Sequence, residues 1–586
     1  MKTMKKNQSV PSHPKTSANA ARLLGALATT IGLLPSAHAI TVPPVAPQSI
    51  LWKGIADTCT NANSYCPPPP GTPLTTFLNI GPPILAQKAV DVFAFKAKLQ
   101  SATLTTGIVI NTTNDEGIWG NGGPVSQGLP SSLTPWLIAQ EGSAVPTIFP
   151  VPAGSWGLIG RSNILNVRGL QVSASGQTIA TVNTDAPGIG KAYLFDNCCL
   201  QTLAASGPGA PLPFRNLQTV VTDSSGMQLA GWARDATPQS GTLEWLPTVF
   251  SPPCTVVPGG TISWQGMTST PTGTGNYGAI PTQLSSPAIS ERGIVAHFAV
   301  DSAPAVNRPH IRVDRSTLSG IVVRRGWPSG IATHPRFGNF HSMLMAVCDS
   351  PAPADFTVAW QMLDMRLTPA GAPIPNSNSL WAKCRTGPYH LIAMRNQAAP
   401  DLAVGDFFGS FHALHVTPAG TTGDSFVFFG AKIIGINAGK TAIYVVPITG
   451  GGATMGPYTL IATDAPGFSP VIPLTTGPDT IGTLFPYFST NNFGDVLMKA
   501  TLAIAPPAQR QVLLTANAAA LHALCVRSQS GQPITPPTCT TAGVITNFTI
   551  ASPEQGCFSR GQSINSMQGI GARINFTGGH GAFIGF

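Results

Sequence analysis

The stretch that decides the fold reads GDSFVFFGAKI (Gly423–Ile433), KTAIYVV (Lys440–Val446), LIATDAPG (Leu460–Gly467), LFPYFST (Leu484–Thr490), and then NNFGDVLMKATL (Asn491–Leu502), which starts the series again. Each piece is a short run of β-branched, aromatic and aliphatic residues. Between the pieces stand Gly, Pro, Asn and Asp, the punctuation of turns between strands. None has the 3.6-residue period of an amphipathic helix.

Working outward, the first piece recurs along the chain. It appears as DVFAFKAKL (Asp91–Leu99), SASGQTIATV (Ser173–Val182), DSSGMQLAGWA (Asp223–Ala233), SERGIVAHFAV (Ser290–Val300), ADFTVAWQML (Ala354–Leu363) and NSMQGIGARINF (Asn565–Phe576). With the two quoted above that makes eight copies, at intervals of about 50 to 85 residues, a period typical of repeat architectures. A second piece follows with an aromatic, as in EGIWG, KAYLF, GTLEW and the terminal GAFIGF. A third runs into a turn, as in LIAQEGSAVP, IVVRRGWPSG and LIAMRNQAAP. Four strands per unit, repeated in tandem, predict an all-β chain folded as a β-propeller of about eight four-stranded blades. A pair of β-sandwich domains is the competing architecture.

The last copy stops after its second piece, at Phe586. SILWKGIADT (Ser49–Thr58), at the other end, resembles the missing third piece. The N-terminal strand is therefore expected to complete the last blade and close the ring, which removes two exposed sheet edges. A terminal aromatic also occurs in outer-membrane barrels, but GAFIGF already has a place in the repeat.

Composition agrees. Only 9% of the residues are charged and 43% are hydrophobic, with 62 Gly and 56 Pro. That excludes coiled coils and long solvated helices, and the chain is too apolar to be disordered. Lys2, Lys5, Lys6, Lys15 and Arg22 precede an apolar run from Leu23 to Leu34 and the triplet Ala37-His38-Ala39. This predicts a signal peptide over residues 1–39 and a single repeat domain over 40–586, secreted or periplasmic. The apolar run is too short to span a membrane, which takes about 20 residues. Without the five basic groups of the leader, the formal charge of +9 becomes +4. So weak a charge over so long a chain argues against nucleic acid as partner.

Ten cysteines follow the leader, an even number that suggests disulfides in an exported chain. The near pairs Cys59/Cys66, Cys348/Cys384 and Cys525/Cys539 are expected as staples. Cys198, Cys199, Cys254 and Cys557 are left with undefined partners. No C-x-x-C occurs.

The units resemble the choice-of-anchor tandem-repeat family defined by N-x-x-G-x-x-A-F, found in exported bacterial proteins. Asn491 and Gly494 keep the Asn and Gly, and Gly293 and Ala296 keep the Gly and Ala. Ser173/Gly176 and Asp223/Gly226 are similar, and Ala94-Phe95 keeps the final pair. The resemblance implies a turn made by the polar residue and Gly, followed by an inner strand packed between blades, and it implies export. It transfers no active site, and the sorting tail usual in the family is not present in this sequence.

Signatures of chemistry are sparse. H-E-x-x-H, an EF-hand loop and G-x-S-x-G do not occur, and neither a cofactor nor a metal is implied. Gly435-x-x-x-Gly439-Lys440-Thr441 is one residue short of a phosphate-binding loop and leads into a strand. His412 and His415, on a strand, are expected on opposite faces. The one dense polar cluster comprises Arg308, His310, Arg312, Arg315, Arg324, Arg325, His334, Arg336 and His341, with Trp327, Phe337 and Phe340 among them. Guanidinium forks suit carboxylate or sulfate groups, and aromatic faces suit sugar rings. The bland alternative is a solvated strand face on which Arg312 or Arg315 pairs with Asp314. The cluster nominates Arg308, His310, Arg312, Arg324, Arg325, Trp327, His334, Arg336 and His341 as ligand-binding residues. The expected ligand is an anionic polysaccharide or another cell-surface polymer. An exported binding propeller and a lyase or hydrolase acting on anionic polysaccharide are the two functional classes.

Overall fold

A computed structural model describes residues 50–60, 75–86, 91–103, 109–121, 133, 135–142 and the strands between 164 and 267. Beyond these it describes 288–290, 293–300, 309–315, 318–349, 356–419, 424–474, 477–518, 524–539, 542–551 and 563–586. The leader, Arg308, Cys66, Cys198, Cys199, Cys254 and Cys557 lie outside the described residues.

The strands form eight four-stranded antiparallel sheets in chain order, with smaller two-residue ladders at their margins. Blade 1 runs through Phe77–Ile80, Phe93–Leu99, Glu116–Gly120 and Trp136–Gln140. Blades 2 and 3 follow between Ile164–Val172 and Thr261–Met267. Blade 4 comprises Ala288–Ile289, Val295–Val300, Pro309–Arg315 and Leu318–Arg324. Blade 5 comprises Phe340–Asp349, Phe356–Met362, Ser379–Cys384 and Tyr389–Met394. Blade 6 begins with Phe407–Ala419, blade 7 with Ile481–Thr490 and blade 8 with Gly543–Thr549. From blade 2 to blade 7, the first strands of successive blades meet one another. All eight copies of the first sequence piece form second strands, one position out from the centre.

Apolar layers between blades hold the ring. Leu344, Leu380 and Phe411 join blade 5 to blade 6; Ala413, Phe428 and Leu514 join blade 6 to blade 7. Middle strands are covered on both faces, and Phe356–Met362 is buried at all seven positions. Continuous apolar runs therefore replace the strict alternation of a half-exposed sheet.

The N-x-x-G turn has a physical basis. Asn491 Oδ1 accepts the backbone N–H of Phe493 (2.9 Å) and Asp495 (3.0 Å), while its Nδ2 donates to the Asn565 carbonyl of blade 8 (2.9 Å). Ser290 accepts from Ile294 N (2.9 Å) and donates to Asp349 of blade 5 (2.6 Å). The polar residue thus shapes its own turn and ties one blade to the next. Gly293 and Gly494 take the left-handed conformation the turn needs (φ 82° and 77°); in blade 8 Gln568 holds that place at φ 62°.

The ring closes through its N-terminus. Trp52–Asp57 pairs antiparallel with Gly579–Gly585, from Trp52↔Gly585 to Asp57↔Gly581, and becomes the fourth strand of blade 8. Ala582 and Ile584 share an apolar cluster with Phe77 and Phe95 of blade 1, so last and first blades pack together. Lys53 lies over the ring of the terminal Phe586, 5.3 Å from its centroid.

All three expected disulfide staples are corrected. Cys59 is bridged to Cys539, 480 residues away (Cα–Cα 5.2 Å), so neither Cys59/Cys66 nor Cys525/Cys539 forms. Ring closure, which brings distant segments together, sets this partner. Cys348/Cys384 does not form either, because the register Cys348↔Thr357↔Cys384 places a whole strand between them. Two strand spacings, about 9.6 Å, exceed the reach of a disulfide. The Cys384 thiol instead lies 2.9 Å from Thr357 Oγ1.

Candidate functional site

The basic cluster folds as two separate groups, on either side of the point where blade 4 ends. Along Val295–Val300 and Pro309–Arg315, Ala296, Phe298, Ile311 and Val313 enter the apolar layer shared with blade 5. Between them His297, His310 and Arg312 lie on the other face of the sheet, the side of blade 3. His297 opposes Arg312, and His310 opposes Arg324. His297, His310 and Arg324 are buried and Arg312 is half-buried. Of the nominated residues on these strands, His310 and Arg324 are buried between blades, while Arg312 keeps partial exposure.

The second group lies on the connection from blade 4 to blade 5, a compact loop closed on itself. Gly326 N donates to Phe337 O (2.7 Å), Phe337 N to Trp327 O (3.1 Å) and Ser329 N to Pro335 O (2.9 Å). Ser329 Oγ donates to His334 O (2.6 Å) and accepts from Ile331 N (3.0 Å). Gly326 and Gly330 supply the two left-handed positions. Phe337 anchors the loop, with its ring 4.9 Å from those of Trp381 and Tyr389 in the layer between the blades. Trp327 packs half-buried against the same layer, so one face of its ring is committed to the core. Arg325, His334 and Arg336 remain half-exposed on the loop, and His341 is half-buried at the start of blade 5.

One functional feature was hidden from sequence reading. Arg336–Phe337 forms a ladder with Met365–Arg366, which sets Arg336 directly opposite Arg366 from the next hairpin. Asp364 is the acid beside them. It accepts from Arg366 Nε (3.2 Å) and Asn339 Nδ2 (2.8 Å), and Arg366 also donates to the Gly371 carbonyl. A Cβ at Gly338 would overlap this carboxylate, so only Gly lets the chain come this close. Arg336 Nη1 reaches the Gly326 carbonyl at 3.4 Å. Like charges placed opposite each other on a ladder repel. Here the one acid, Asp364, is bound to the buried Arg366 and to Asn339, and Arg336 stays half-exposed. Burial pushes the imidazoles of His334 and His341 below their ordinary value, so the positive charge of the rim near neutral pH is carried by arginine.

His412 and His415 also depart from expectation. The register of Phe407–Ala419 is interrupted between Phe411 and Ala413, and this bulge turns both rings toward blade 7. His415 packs at a tilt against Phe488, with ring centroids 4.8 Å apart, and His412 meets the backbone at Pro486. Burial lowers both to about 4, for His412 with help from Lys432, which keeps both neutral. The segment Gly435–Lys440 is a turn between strands, held by Asp406 on Asn437 N (2.7 Å).

The described residues define an eight-bladed β-propeller, closed by its N-terminal strand and a disulfide, with a basic rim between blades 4 and 5. No family model matches the chain, and no curated protein matches it by sequence. Solved structures similar to it include the β-propeller domain of the trilobed protease from Pyrococcus furiosus, at 9% identity over 76% of this chain and 96% of that one, with TM-score 0.33. An α-L-arabinanase from Penicillium chrysogenum, complexed with arabinobiose, matches at 8% identity over 52% and 93%, with TM-score 0.24. A prolyl endopeptidase matches at 9% identity and TM-score 0.35; 77% of this chain aligns with half of the endopeptidase's length. These likenesses are of fold alone, and the ring itself rests on the strand pairings.

Among the described residues, no helix is long and apolar enough to cross a membrane.

Proposed function

We propose that this is an exported, non-catalytic propeller that holds an anionic polymer, with a uronate or sulfated polysaccharide as the favoured class, at the rim between blades 4 and 5. The leader pattern and the N-x-x-G-x-x-A-F resemblance favour export. The observation that carries the binding role is the pair of half-exposed arginines, Arg325 and Arg336, on a preformed loop whose nearby acid, Asp364, is already engaged by Arg366. A guanidinium fork accepts a carboxylate or sulfate from outside in two-point geometry. The preformed loop spends little ordering entropy on binding. Catalysis finds weaker footing: Asp364 is tied to Arg366 and Asn339, and His334 Nδ1 is 2.9 Å from Thr333 Oγ1.

A glycan array that also measures product release separates the two classes. Retention of acidic glycans without released fragments is expected. Release of shortened or unsaturated fragments would replace the binding reading by the enzymatic one.

A further inference from the structure

At the opposite end of the ring from the basic rim, blades 4 and 5 part to form a cleft of about 180 Å³. Its blade 4 wall is Val313 and Gly320–Val322, and its blade 5 wall is Phe356 with Lys383–Arg385. Val313, Val322 and Phe356 belong to the apolar layer between these blades, so the interior of the cleft continues the core. Tyr389 of blade 5 donates from its hydroxyl to the carbonyl of Val322, one of the lining residues (2.8 Å). Lys383 is half-buried with its ammonium over the Tyr389 ring (5.2 Å) and one hydrogen bond, to the Gly387 carbonyl (2.6 Å). None of the ion pairs among the described residues involves it. Burial pushes its pKa down. Gly320 opens the cleft: a Cβ there would meet nothing within 4 Å.

We infer that this cleft binds a small carboxylate with an apolar body, the apolar part lying against Val313, Val322 and Phe356 and the carboxylate reaching Lys383 and Arg385. Apolar walls with a few convergent polar groups are the usual make-up of small-ligand sites. Both charged groups of the lining are cations, which excludes an amine and favours an acid. The site is independent of the rim. Its failure leaves the polymer-binding reading intact, and the reverse also holds.

Titration calorimetry on the full mature chain tests it, with octanoate and 3-phenylpropionate as aliphatic and aromatic acids and octylamine as the cationic counterpart. One or both acids should bind and octylamine should not; which acid binds tells a chain-shaped from a ring-shaped occupant. Gly320→Leu should fill the cleft and abolish binding with unchanged thermal unfolding, because its Cβ projects into open space. Lys383→Met keeps the length of the side chain and should weaken acid binding at least tenfold. The inference is overturned if neither acid binds the wild type, if octylamine binds as well as the acids, or if Gly320→Leu or Lys383→Met binds like the wild type.

Discussion

Replacing Cys59 and Cys539 together by Ser removes the covalent clasp of the ring and leaves its hydrogen bonds in place. The bridge spans 480 residues, so the chain-entropy expression gives about 6 kcal/mol, above the 2–4 kcal/mol typical of shorter loops. Around it, Asp57 accepts from Thr538 N (2.8 Å), Cys539 N (3.1 Å) and Cys59 N (2.8 Å). Burial alone would raise the Asp57 carboxyl, but these bonds together bring it below its ordinary value. The strand should therefore stay docked in the variant, and the loss should fall on global stability. For about 540 residues at about 2.1 cal/mol/K each, unfolding entropy is about 1.1 kcal/mol/K, so a loss of about 6 kcal/mol lowers Tm by about 5 °C. Scanning calorimetry of the wild type, the double Ser variant and the reduced wild type measures this, with limited proteolysis reporting on the N-terminal strand. The two perturbed forms should agree with each other and lie below the wild type. Equal Tm in all three, with equal protection of the N-terminus, would refute the clasp.

Three further outcomes follow from particular residues. Gln568→Gly should stabilise by about 1 kcal/mol, read as a higher urea midpoint, because Gln568 is exposed and held at φ 62° where Gly belongs. His415 is buried with its pKa lowered from 6.5 to about 4, so the unfolded chain takes up a proton that the folded chain refuses. Stability should be full above pH 6.5 and fall by up to about 3 kcal/mol as pH drops toward 4; denaturant titrations across that window should show His415→Leu losing less than the wild type. Arg324→Ala should lower stability by about 1–3 kcal/mol and leave polymer affinity unchanged, since Arg324 is buried on the face turned to blade 3.

Much of the ring was legible because each blade repeats one pattern of strands and turns. Middle strands such as Phe356–Met362 are buried on both faces and so carry an unbroken apolar signal. Closure was legible from a last copy that lacked one strand. The disulfides were not, because spacing along the chain says nothing of Cys59 meeting Cys539 across a closed ring, or of Thr357 standing between Cys348 and Cys384. The basic cluster could be found as a segment but not divided. Which side of blade 4 receives His310 and Arg324 depends on the blade that follows, whose apolar layer claims Ile311 and Val313. Arg366 escaped notice because its partner Arg336 is brought to it by a two-residue ladder between separate connections. The bulge at His412 likewise has no signature in SFHALHV.

The central claim, that arginines of the rim hold an anionic polymer, is tested most directly by the affinity of Arg325→Ala/Arg336→Ala for polygalacturonate beside the wild type, at low and at high salt. Charge-assisted contacts of about 1.5–3 kcal/mol each predict a loss of at least about tenfold per arginine, an affinity of the wild type that falls with salt, and only partial recovery with Lys at both positions. Affinity should not change between neutral and mildly alkaline pH, because His334 and His341 are already neutral there. Equal affinity of variant and wild type at both salt concentrations would contradict the account.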